Sequence, residues 1–325
     1  MKHELKITII LLAMFVATQL IGLYVLNSDP YHIKIEVNGT IQLTENPSLS
    51  WIQPPEIQQE SDFSVYFGSM LVSFIFAIVI LFLLTKFKID IVLKVWFFSV
   101  ITLSLFISLS AIFPKSTYLT IPILIFALTL SFFKTFKRNM IIHNVTELFI
   151  YPGIATVFVP ILNLWSVSIL LILISIYDMW AVWHSGIMQK MAKYQINKLK
   201  VFSGFFVPYV SKKMMLQLKK LKKSKIKNKK IRANIAILGG GDVVFPLITA
   251  GVVMMTKTIS LPFGLLPQFI FTGGLLPALF IIAGATLGLT LLFAFSEKKK
   301  FYPAMPFISA GIFAGMLLSQ VFLAI

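Results

Sequence analysis

The 325-residue chain has no cysteine and little charge of either sign. The first absence removes disulfides, thiolate metal sites and a cysteine nucleophile together, and leaves the redox compartment open. The second is more telling. Charged residues make up 13% and hydrophobic ones 58%, whereas soluble domains have about a quarter charged and about half apolar. An ordinary soluble enzyme is excluded. Acids are scarcest, 12 Asp and Glu against 29 Lys and Arg, for a net charge of +17. Nucleic-acid binding would need those cations spread over a folded soluble surface; here they fall between apolar runs. No repeat of 20–50 residues, no HExxH pattern and no nucleotide motif is present. Gly239, Gly240 and Gly241 sit inside an apolar run, without the strand-turn-helix context of a phosphate loop. No metal, cofactor or nucleic acid is therefore expected.

What is present is a series of apolar runs. A spanning helix needs about 20 mostly apolar residues, and nine runs qualify: 7–26, 64–85, 91–113, 119–133, 140–160, 161–183, 233–256, 267–295 and 303–324. The fourth is short, and His143, Asn144 and Glu147 interrupt the fifth. The first ends in Tyr24-Val25-Leu26-Asn27 with no small-x-small cleavage site, so a retained helix is expected rather than a secretory signal. The fold class is an all-α polytopic membrane protein with nine transmembrane helices.

Loop charge sets the orientation. With the N-terminus cytoplasmic and the C-terminus outside, 25 basic residues lie in inner segments, 15 of them in 184–232, and three (Lys34, Lys115, Lys257) in outer ones. A wrong helix count between them would put the long basic loop and Lys298–Lys300 on opposite sides. The expected organisation is a single membrane-embedded domain over 1–325: six helices in 1–183, a basic cytoplasmic loop over 184–232 and three helices in 233–325. The outer loop 27–63 carries an expected strand pair around 31–43, from the alternation of Ile33, Ile35 and Val37 with Ile41 and Leu43. The run Lys212–Arg232 reads as a solvated linker or as a contact with anionic membrane lipids. Trp96, Trp165, Trp180 and Trp183 fall near run ends and read as interface anchors.

Three acids remain inside apolar runs: Glu147, Asp178 and Asp242. A charge near a bilayer centre costs about 2.5–3.5 kcal/mol even on the gentler scale, and such residues usually face a bundle interior or cavity. Asp178 lies about six residues before the end of the sixth run and Asp242 about ten after the start of the seventh. The runs are antiparallel, so at about 1.5 Å per residue the two carboxyls fall at comparable depths. Gly239, Gly240 and Gly241 would let the seventh helix approach the sixth closely, and Pro246 should bend it. Two carboxyls held close in a low-dielectric site share one proton and titrate as a pair. An aspartic protease uses that state: one carboxylate activates water while the other, protonated, donates to the scissile carbonyl. The alternatives are buried acids each hydrogen-bonded to a neighbouring helix, or a proton-coupled transporter or channel relaying protons through the same carboxylates. The latter predicts inverted repeats and paired half-helices, and none is visible. His143 and Glu147, four apart on one helical face, could hold a metal with a third group; an interhelical hydrogen bond is the simpler reading.

Tyr177-Asp178 in one run, followed by Gly239-Gly240-Gly241-Asp242 in the next, resembles the YD and GxGD motifs of the presenilin and signal peptide peptidase intramembrane aspartyl proteases. The likeness spans the chain, since that family also has nine helices with the N-terminus inside. Its third motif, Pro-Ala-Leu at the last helix, is matched by Pro303-Ala304-Met305, with Met for Leu. A literal Pro277-Ala278-Leu279 falls mid-run in the eighth helix and is set aside. Gly240 stands where Leu is frequent in the family, and Gly-Asp-Val-Val-Phe-Pro is similar to the signal peptide peptidase branch and its compact prokaryotic relatives. Prepilin peptidases share a GxGD motif, but a basic residue often follows theirs, and Val243-Val244-Phe245 follows here.

The resemblance implies an intramembrane endopeptidase in the plasma membrane of a prokaryote. It would act on transmembrane helices or signal-peptide remnants without a covalent intermediate or cofactor. Asp178 and Asp242 would be catalytic. Tyr177, Gly239, Gly241, Pro303, Ala304 and Met305 would support the site, the last three by holding extended substrate through strand addition and Tyr177 by packing over the dyad. An inactive relative that only binds membrane helices has the same sequence signature.

Overall fold

The computed structural model describes residues 5–37, 40–55, 57, 59–87, 89–137, 139–185, 203–209, 234–256, 259–261, 269–296 and 302–324. Among them are nine long helices: α1 (Leu5–Asn27), α2 (Glu60–Lys86), α3 (Asp90–Ile112), α4 (Thr117–Phe136), α5 (Met140–Phe158), α6 (Leu164–Trp180), α7 (Gly240–Met255), α8 (Leu275–Phe295) and α9 (Met305–Ala324). Eight are long and apolar enough to cross a membrane, and α7 is a shorter apolar helix. The protein is an integral, multi-pass membrane protein. The runs Lys212–Arg232 and Lys298–Lys300 lie outside the described residues.

Three antiparallel strand pairs join the helices: β1 (His32–Val37) with β2 (Thr40–Glu45), β3 (Gly204–Tyr209) with β4 (Asn234–Gly239), and β5 (Ile259–Leu261) with β6 (Phe269–Phe271). The first is the expected outer-loop pair. The other two correct helix boundaries expected at 233 and 267. Residues 234–239 are apolar enough to read as helix, but they form a strand because β3, inside the stretch expected to be loop, supplies its backbone partners. Helix α8 likewise begins only after β6, so Pro277 falls in its first turn rather than mid-helix. There a missing N–H costs nothing, since the first donors of a helix are unpaired in any case.

The buried helix is α7. Its 16 residues span about 24 Å, less than a bilayer core of about 30 Å, and strands continue the chain before and after it. Irregular backbone is tolerated at such a position only inside protein. The packing supplies that setting: Val243, Leu247, Ile248, Ala250, Val252 and Val253 are buried in one core with side chains from α1, α5, α6, α8 and α9. A second core joins α3, α4 and α5. Helix α2 stands apart, with 6% of its apolar window buried.

Candidate active site

Asp178 lies two residues before the end of α6, and Asp242 two residues after the start of α7. The helices meet end to start, which brings both carboxyls to one level. Asp242 lies within electrostatic reach of Asp178. The route differs from the expected one, since Asp242 is in the first turn of its helix and not ten residues inside.

That placement gives Asp242 a second role. Gly239 is the N-cap residue of α7, and Asp242, three residues on, accepts a hydrogen bond from the Gly239 N–H. This is the return half of a capping box, an acid reaching back to the N-cap donor. A Cβ on Gly239 would lie 3.1 Å from Asp242 Oδ2, tight enough to disturb the contact. The three glycines thus do stand at a strand-to-helix junction, contrary to expectation, with a carboxylate closing the helix end.

The glycines do not serve an approach of α7 to α6. A Cβ on Gly240 would lie 2.5 Å from Ser203 Oγ and 2.8 Å from Tyr151 Oη, so the close neighbours are α5 and the start of β3. This explains Gly where the family often has Leu. Gly241 is exposed, with the Phe245 ring 3.6 Å from where its Cβ would be. Behind Asp242, the Gln19 side chain of α1 donates to the Val243 carbonyl at 2.8 Å.

Asp178 is buried and held by the segment ahead of α9. Its Oδ2 accepts the Met305 N–H at 3.0 Å, and the Ala304 N–H also donates to its carboxyl. Pro303 and Met305 are buried and Ala304 half-buried. One turn before Asp178, Ser175 Oγ donates to Ser309 Oγ of α9 at 2.9 Å, fastening the same helix pair. Helix α9 begins at Met305, not 303, so Pro-Ala-Met straddles its start, where N–H groups are unpaired and point at an acceptor. Tyr177 is 56% exposed, with its ring centroid 6.3 Å from that of Trp180.

His143, Asn144 and Glu147 form a polar face on α5. Lys134 Nζ of α4 donates to Glu147 Oε1 at 2.5 Å, an interhelical pair with both side chains buried. Glu147 Oε1 also accepts the Gly204 N–H at 3.2 Å, and His143 Nε2 meets the Gly204 carbonyl oxygen at 2.7 Å. Asn144 brackets Phe206, its Nδ2 donating to the carbonyl at 2.8 Å and its Oδ1 accepting the N–H at 3.0 Å. Sequence reasoning marked these side chains as out of place in a membrane run but missed their partner, because β3 lay within expected loop. No group of three metal-ligating side chains occurs among the described residues.

The bonds to Gly204 and Phe206 fix the polarity of the β3–β4 sheet. In an antiparallel pair, alternate residues bond across to the partner while those between point outward. Gly204 and Phe206 point outward to α5, so Phe205 and Val207 bond to Leu238 and Ala236. Pro208 fits at the next outward position, where no N–H is needed. By the same alternation, the N–H and C=O of Ile235 and Ile237 lie on the far edge of β4, which has one neighbouring strand among the described residues. That edge leads straight to Asp242.

The family described as signal-peptide peptidase, presenilin aspartyl protease matches residues 38–325. Curated protein sequences give no match. Two solved structures are similar in fold, both of a presenilin family intramembrane aspartate protease. The first, in a C222 crystal form, has 17% identity and a TM-score of 0.56, covering 97% of this chain and 99% of that one. The second, in a P2 form, has 16% identity and a TM-score of 0.51, covering 96% of each.

Proposed function

Because the chain belongs to the signal-peptide peptidase and presenilin family of aspartyl proteases, we propose that Asp178 and Asp242 are the two carboxyls with which this intramembrane protease cleaves. The observation that carries the assignment is their meeting at the ends of α6 and α7. One is held by two backbone N–H groups of the Pro-Ala-Met segment and the other by the N-cap of its own helix. Sharing one proton, one carboxyl takes a proton from water as it attacks the scissile carbonyl, and the other gives its proton to the carbonyl oxygen. No covalent intermediate forms.

A helical substrate hides its carbonyls and must unwind before attack. The Ala304 and Met305 N–H groups already bond to Asp178, so Pro303, Ala304 and Met305 support the site by fixing that carboxyl. The outward edge of β4 at Ile235 and Ile237 is the backbone that takes an extended segment as a further strand. Gly239 leaves room for the Asp242 carboxyl, Gly241 presents no side chain at the exposed position next to Asp242, and Tyr177 supports the site from the position next to Asp178. The substrates are transmembrane helices or signal-peptide remnants. The chain sits in the plasma membrane of a prokaryote with its N-terminus inside, a reading supported by the distribution of basic residues along the sequence. The proton-coupled transporter gains no support from the family or from the similar solved structures.

The test is cleavage of a bilayer-reconstituted transmembrane peptide by the wild type, Asp178→Asn and Asp242→Asn. Each single variant should keep its thermal transition and lose cleavage by at least about 10³-fold, as expected when one member of an acid–base pair is removed. Full activity in either overturns the assignment.

A further inference from the structure

The Lys134–Glu147 pair has no part in the mechanism above, yet it lies buried within the membrane domain, where ions are expensive. Burial of an ion pair is weak evidence for stability, because well-packed apolar residues of similar volume are often as good or better. What the pair touches offers a different reason for it. Glu147 Oε1 receives both the Lys134 ammonium and the Gly204 N–H. The Gly204 carbonyl can only accept, so His143 Nε2 donates to it. His143 Nδ1, 3.4 Å from Lys134 Nζ, then accepts from the ammonium. Lys134, His143, Glu147 and the N–H and C=O of the single residue Gly204 close a circuit in which every bond has a donor and an acceptor.

Gly204 is directly opposite Gly239 in the sheet register. Gly239 in turn gives its N–H to the Asp242 carboxyl. Two steps across the sheet therefore link the buried ion pair to the aspartate. One turn along α5, Tyr151 contacts the position of Gly240 from the same side. We propose that Lys134, His143 and Glu147 are positioning residues that anchor Gly204 and, through the Gly204–Gly239 register, place Asp242 opposite Asp178. The proposal rests on the reading of Asp178 and Asp242 as the reacting pair.

Two measurements on the full-length protein in detergent test it. The first is kcat and KM for a transmembrane peptide, with the thermal transition, for Lys134→Met/Glu147→Leu, Glu147→Gln, His143→Leu and His143→Gln. The double variant should remain folded and lose about 10–100-fold in kcat, the scale of a misplacement of about 1 Å, with KM within about threefold. Gln at 147 keeps an acceptor for Gly204, and Gln at 143 keeps a donor, so each should recover most of the rate that its Leu counterpart loses. A folded double variant with wild-type kcat overturns the proposal. Should the double variant fail to fold, His143→Leu against His143→Gln decides in the same way.

The second measurement does not depend on activity. The chain lacks cysteine, so Asp178→Cys/Asp242→Cys can be cross-linked with a short bifunctional thiol reagent. Cross-linking should be fast with Lys134 and Glu147 intact and at least about tenfold slower with Met and Leu there, by the same displacement. Equal rates overturn the positioning role whatever the catalytic assignment. A wild-type rate in Asp242→Asn would overturn that assignment and leave this comparison standing.

Discussion

At the scale of single residues, the site is built from backbone donors more than from side chains. Both aspartates are fixed by N–H groups at helix starts, Asp178 by Ala304 and Met305 and Asp242 by Gly239. This explains why Met can replace Leu in the last motif, since the contact uses the main chain and the side chain need only be apolar and of similar volume. It also explains why Gly240 was misjudged from sequence. A motif comparison treats its position as variable, whereas here Ser203 and Tyr151 leave no room for a Cβ. Gly240→Ala should therefore destabilise the fold by about 1–3 kcal/mol, the range for overpacking, and lower cleavage more than the stability loss explains. Tyr151→Phe in the same chain removes one of the two clashing oxygens and should return part of both. Thermal unfolding and peptide cleavage on the four chains of this cycle check the expectation. Equal stability of Gly240→Ala and wild type would show that the neighbours yield freely.

At the scale of elements, hydrophobic run length revealed all nine helices but not where two of them, α7 and α8, begin. A run of apolar residues is equally compatible with a buried helix and a buried strand, and β4 and β6 are such runs. What distinguishes them is a partner strand far away in sequence or across a turn, which periodicity does not report. The tight pairing of α8 with α9 was likewise invisible as a pair. A Cβ on Gly284 would lie 2.1 Å from the Gly311 carbonyl oxygen, and one on Gly315 would lie 2.4 Å from that of Phe280, so these helices touch through their backbones. The β4 edge gives this scale its prediction. Ile237→Pro removes one outward N–H and no ladder bond to β3, so the fold should persist. A substrate strand would lose a main-chain hydrogen bond worth about 0.5–1.5 kcal/mol, raising KM by roughly 2–12-fold with little change in kcat. Leu238→Pro, which breaks a ladder bond, should instead lower the thermal transition. Should Ile237→Pro leave KM unchanged, extended substrate does not pair at that edge.

At the scale of the whole molecule, charge asymmetry and carboxylate placement made the class and the aspartate pair legible. An Asp inside an apolar run is costly wherever it lies, so two on consecutive helices identify themselves without any tertiary knowledge. Glu147 and Gly239 stood out in the sequence, but their partners did not, because the contacts of Lys134 and Glu147 with Gly204, and the pairing of Gly204 with Gly239, close distances in sequence that only the folded chain brings together. Orientation belongs to this scale, and the expected one rests on the 25 basic residues it assigns to inner segments against three to outer ones. That expectation would put the 27–63 loop outside and the Lys-rich run inside. The absence of native cysteine makes the check direct. Ser50→Cys, on an exposed part of that loop, should react with a membrane-impermeant maleimide on intact cells. Ser224→Cys, within the basic run, should react only after the membrane is opened. The reverse pattern would turn the molecule over and put the basic loop on the outer face. Labelling of both on intact cells would make the number of crossings between them even and remove one of the helices from the membrane.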